Sequence, residues 1–62
     1  MVQFHRFMIF LDKDPIGEMV IPTNDTQRAC QGFLDKVTGF IGAGLRRVVK
    51  EGKGKLDARL IE

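Results

Sequence analysis

The segment Val2 to Leu11, VQFHRFMIFL, constrains this chain more than any other stretch. Alternation divides it into two faces. Val2, Phe4, Arg6, Met8 and Phe10 lie on one; Gln3, His5, Phe7, Ile9 and Leu11 lie on the other. The first half alternates apolar with polar, as a half-buried strand does. The second half, Phe7 to Leu11, is apolar on both faces, and such a strand requires cover on both sides. Any fold of this chain must hide that ribbon.

Little else is available to hide it. With 62 residues the chain is expected to form one domain, 1–62. A chain of this size buries only about 60% of the surface its unfolded form exposes. Cys30 is the only cysteine, so no disulfide framework can add support. A lone thiol suits a reducing compartment. Oligomerisation is the remaining common support for a core this small. Hydrophobic residues make up 44% and charged residues 29%, which argues against disorder. The run Phe7 to Leu11 falls far short of the ~20 apolar residues that a membrane helix needs. The N-terminus also lacks the long apolar region and small-residue cleavage site of a signal peptide. The expectation is a cytoplasmic protein with no membrane contact.

One helix is expected between Thr23 and Thr38. Ala29, Cys30, Phe33, Leu34 and Val37 form a single apolar stripe at helical spacing. Thr23, Asn24, Asp25 and Thr26 all suit an N-cap; Asn24 as cap would let Gln27 complete a capping box, and Thr23 as cap would put Asp25 in the first turn. Gly39 stands where a helix stop belongs. Gly32, in mid-helix, is either a tolerated defect or a site of close backbone approach.

Around that helix the sequence reads as strands. DKDPIG, from Asp12 to Gly17, has turn chemistry, and Glu18 to Ile21 follows as a short second strand ended by Pro22. Gly39, Gly42 and Gly44 suggest a connection. Leu45 to Lys50 and Lys55 to Ile61 then read as a second hairpin around EGKG, with Val48 and Val49 β-branched and Leu56, Ala58 and Leu60 alternating with Asp57 and Arg59. The predicted fold class is therefore α+β, a small antiparallel sheet in ββαββ order with one helix packed on one face. A rival reading runs one helix from 24 to 50, placing Cys30, Leu34, Val37, Ile41, Gly44 and Val48 in one seam. The three glycines would cost it roughly 3 kcal/mol.

No residue set points to catalysis or to a cofactor. His5 is the only histidine and has Arg6 rather than an orienting acid beside it, so it reads as a sheet-surface residue. Cys30 lies on the apolar stripe without a cation to activate it, and reads as inert. Asp12, Asp14, Gly17 and Glu18 echo a calcium loop, but the twelfth position, which should be Glu, is Thr23. GFIGAG matches neither phosphate-loop spacing. No metal site is expected.

Two binding readings remain. Excess apolar surface on the first strand, at Phe4, Phe7, Ile9 and Leu11, favours a non-catalytic interaction module that forms a homodimer or docks another protein. The alternative is a nucleic-acid-binding accessory or regulatory protein. Residues 45–62 hold six basic and three acidic side chains, a balance of +3, against −1 for residues 1–44, which hold four basic and five acidic. Arg46, Arg47, Lys50, Lys53, Lys55 and Arg59 would meet phosphates. No aromatic residue accompanies them to stack on bases.

Overall fold

Strand β1 (His5–Leu11) is the central strand of a three-stranded antiparallel sheet. The structure, a computed structural model, describes residues 2–61. On one side β1 pairs with β2 (Asp14–Ile21), and on the other with β3 (Leu56–Leu60). Two helices, α1 (Thr26–Lys36) and α2 (Gly39–Lys50), lie between β2 and β3 in the chain. The class is α+β, but the element order is ββααβ and not the expected ββαββ.

The first hairpin is tighter than DKDPIG suggested. Leu11 already pairs with Asp14, so Asp12 and Lys13 alone make the connection. Asp12 takes φ 57, a left-handed conformation that Asp tolerates better than most residues. Pro15 sits within β2, acceptable because β2 is an edge strand. The register shifts between Ile9 and Phe10, whose partners are Gly17 and Pro15, which leaves Ile16 as the extra residue of a bulge.

Of the four residues suited to an N-cap, Asp25 caps helix α1, and neither Thr23 nor Asn24 does. The Asp25 carboxylate accepts from Gln27 N at 2.9 Å. Thr23 Oγ1 instead accepts from Asp25 N at 3.3 Å, just ahead of the helix. Ala29 of α1 is fully buried over β1, where Phe7 and Ile9 are both 0% exposed. Ile21 and Ala58 complete this core, and Met19, Cys30, Phe33 and Leu56 pack around it. Gly32 turns toward β2: a Cβ there would lie 2.9 Å from Met19 Cε. It makes room for a side chain, not for another backbone.

Of the expected second hairpin, Lys55 to Ile61 does hold a strand, β3, but Leu45 to Lys50 belongs to helix α2 and EGKG to its stop. Gly52 has φ 72, Gly52 N donates to Val49 O at 3.2 Å, and Lys53 N donates to Val48 O at 3.0 Å. This is the paired 5→2 and 6→1 bonding of a Schellman stop. The glycine of EGKG ends a helix where a hairpin turn was expected. The rival single helix fails as well, because Val37 and Thr38 are extended and Gly39 has φ 73. Within α1–α2 the chain therefore turns instead of continuing.

Candidate interaction surface

Helix α2 is set against the end of α1 by two close contacts. Gly42 is buried against the Val37 carbonyl; a Cβ there would collide with Val37 O and lie 2.7 Å from Val37 C. One turn on, the Arg46 guanidinium reaches back and donates through Nη1 to Leu34 O at 2.9 Å and Val37 O at 2.8 Å. These are carbonyls left open where α1 stops, and a cation there also suits the negative end of the helix dipole.

That docking buries Leu45 and leaves the N-terminal turn of α2 outside the core. Phe40 is 98% exposed and Ile41 80% exposed. Beside them runs a groove of about 480 Å³. Leu11 of β1 and the bulge residue Ile16 form one wall, Phe33 and Val37 the floor at the α1 end, and Ile41, Gly44, Leu45 and Val48 the α2 side. Every one of these residues is apolar or glycine. The bulge contributes directly: Gly17 holds the strand so close to α1 that a Cβ there would come within 2.7 Å of Phe33 Cε1, and Ile16 swings to the groove edge.

The first-strand residues expected at a partner surface are divided by the fold. Phe7 and Ile9 are core residues under α1 and cannot meet a partner. Leu11 is half-buried at the groove wall, and Phe4 is 65% exposed ahead of β1. The opposite sheet face has no helix over it, yet it is not bare. Met8 and Phe10 are half-buried there, and the Arg59 guanidinium lies 5.4 Å from the Phe10 ring centroid. A cation over a ring, with its aliphatic stem laid along apolar surface, covers such a face at low cost. Arg6 Nε and Glu18 Oε1, 3.8 Å apart, flank it. Long polar side chains thus do part of the shielding that the sequence assigned to a second chain.

The six basic residues do not converge. Arg46 is engaged with α1, Lys53 Nζ pairs with Glu51 at 3.3 Å, and Arg59 is on the open sheet face. Arg47 and Lys50 project from the C-terminal half of α2. Lys55 belongs to the approach to β3, where its N–H donates to Asp12 Oδ1 at 3.1 Å.

The candidate reactive residues stand apart from one another. His5 is half-buried at the start of β1, opposite Ile21. Burial pushes the Cys30 thiol above its ordinary pKa, and the Asp57 carboxylate adds to the shift. A thiol held protonated is a poor nucleophile. Among the described residues, no group of three or more His, Cys, Asp or Glu is placed to hold a metal ion, and no helix is long and apolar enough to cross a membrane.

The signal for this surface was present in the sequence as Phe40 and Ile41, two large apolar residues between glycines. Reading GFIGAG as a connection hid them. Comparison with known protein families, with curated proteins and with solved structures found no match.

Proposed function

We propose that this chain is a non-catalytic binding module that works by self-association, with its contact surface on α2 and the groove beside it. The surface is not the one expected on β1, since Phe7 and Ile9 are committed to the core. The observation that carries this reading is the exposure of Phe40 and Ile41 at the mouth of an apolar groove. Burying a large apolar side chain is worth roughly 1.5–3 kcal/mol, so two left in water beside an apolar groove favour a partner.

Sedimentation equilibrium over a micromolar concentration series tests the reading. A mass of twice the chain is expected, reverting to one chain for Phe40→Ser with Ile41→Ser. Because both side chains are nearly fully exposed in the single molecule, the double variant should retain its circular dichroism spectrum. A wild-type chain that stays monomeric throughout overturns the reading. In that event, tight and salt-dependent binding to DNA or RNA would favour the alternative built on Arg47 and Lys50.

A further inference from the structure

We infer that two copies of this chain join by exchanging their C-terminal arms, with residues 37–39 as the hinge: α1 and α2 straighten into one helix, and β3 of each copy pairs with β1 of the other. The inference rests on the self-association reading and specifies how the two copies join.

Hydrogen bonding at the bend points to a hinge. The helical ladder of α1 runs as far as Val37 N, which donates to Phe33 O at 3.0 Å, and it resumes where Gly42 N donates to Thr38 O at 3.3 Å. Only the amides of Thr38 to Ile41 stand between. In one unbroken helix, Leu34 O would accept from Thr38 N and Val37 O from Ile41 N. Arg46 Nη1 donates to those same two carbonyls. The guanidinium stands in for the absent helical amides, and on its withdrawal the amides of Thr38 and Ile41 take its place. Thr38, the N-cap of α2, makes no side-chain cap bond that straightening would break.

The glycines allow the change. Gly39 has φ 73 in the bend, and a glycine passes from there to helical values without the penalty a side chain would add. Gly42 abuts the Val37 carbonyl because the chain is folded back; in a straight helix that carbonyl turns to Ile41 N. Gly42 and Gly44 are helical in α2 already, so joining the helices adds only Gly39 to the glycines that a helix must hold. The joined helix would carry Ile41 and Val48 in line with Cys30, Leu34 and Val37, one apolar seam at alternating four- and three-residue spacing.

What happens to β3 selects the partner. The 12 residues of α2 span about 18 Å, and residues 51–55, which begin in its Schellman stop, tie its far end to β3. Swinging α2 into line with α1 draws β3 off β1. That uncovers Phe7 and Ile9, whose partners are Leu60 and Ala58. A second copy supplies the strand that fits this gap residue for residue, because the chain's own β3 fits it now. Exchange of an identical element is a low-cost way to a dimer, and a short hinge invites it. Leu45 and Val48 travel with α2 and meet Leu11 and Phe33 of the other copy, which rebuilds the groove.

Disulfide trapping reads the exchange directly. Met8 and Arg59 are partners across β1 and β3, within disulfide reach. Met8→Cys with Arg59→Cys, in a Cys30→Ala background, is concentrated to form the dimer, mildly oxidised, and run unfolded without reductant. An exchanged dimer gives a covalent species of two chains, which neither single cysteine gives alone. A species of one chain overturns the exchange and leaves the self-association reading standing. Gly39→Ala supplies a second measurement. Alanine is strained at φ 73 and favoured in a helix, so self-association should tighten by about tenfold or more, with helix content kept or raised. Unchanged or weaker association of a folded Gly39→Ala chain overturns the hinge. A monomeric wild type removes both readings.

Discussion

Arg46 and Val37 join the two helices: the guanidinium donates to the Val37 carbonyl at 2.8 Å across the break between α1 and α2. The same nitrogen reaches Leu34 O at 2.9 Å. One side chain of α2 thereby caps α1, and the orientation of α2 depends on it. Arg46→Ala should lower stability by about 1–2 kcal/mol, the range for charged hydrogen bonds discounted for exposure. Arg47→Ala, one residue away without these bonds, should stay within about 0.5 kcal/mol of wild type. Urea denaturation of the three proteins decides it: equal midpoints for the two variants would remove the capping role.

Gly42 gives a second test of the same joint, with a sign opposite to helix propensity. Alanine is better than glycine in a helix interior by about 1 kcal/mol. At position 42, however, the added methyl would collide with the Val37 carbonyl, which is backbone and cannot rotate away. Gly42→Ala should therefore destabilise, by roughly 1–3 kcal/mol as overpacking does. A thermal melt showing stabilisation would mean that α2 is free to shift on α1.

How much of this was legible beforehand follows from what each residue pattern can encode. The first hairpin and α1 were legible, because alternation through Phe7 and Ile9 and the stripe Ala29, Cys30, Phe33 are strong local signals. Helix α2 was not. Its first half is rich in glycine and its second half contains Val48 and Val49, so local propensity argues against a helix that tertiary contact through Leu45 and Arg46 then supports. The glycine of EGKG is equally good at ending a helix or turning a hairpin, since both require a left-handed residue. Two basic residues in the turn before it, Arg47 and Lys50, were the cue for a helix end. Periodicity also cannot say which side of a strand is covered. It grouped Phe7, Ile9 and Leu11 correctly on one face and could not show that α1 claims that face.

Phe4 and Phe7 separate surface from core within one short segment. Phe7 is 0% exposed under Ala29, whereas Phe4 is 65% exposed before the sheet begins. Phe7→Ala should cost about 3–5 kcal/mol, enough to unfold most of a domain this small. Phe4→Ala should change stability by less than about 0.5 kcal/mol. Amide dispersion in a two-dimensional spectrum would be lost in the first variant and kept in the second. Similar spectra for both would contradict the placement of β1.

Cys30 links burial to alkaline stability. Its thiol is pushed above the ordinary value, first by burial beside the core and then by the Asp57 carboxylate. The unfolded chain has neither influence, so it loses the thiol proton at lower pH than the folded chain does. Below the ordinary thiol pKa both states hold the proton and pH has no effect through this group. As pH rises from that value through the raised one, the unfolded state binds fewer protons, and stability falls. Cys30→Ala should remove that alkaline decline while costing some packing at neutral pH. Folded protein should also react with iodoacetamide more slowly than the urea-unfolded chain at the same mildly alkaline pH, because less of its thiol is thiolate. Equal rates in the two states would place Cys30 in water, away from the underside of α1, and would undo the packing of that helix on Leu56 and Ala58.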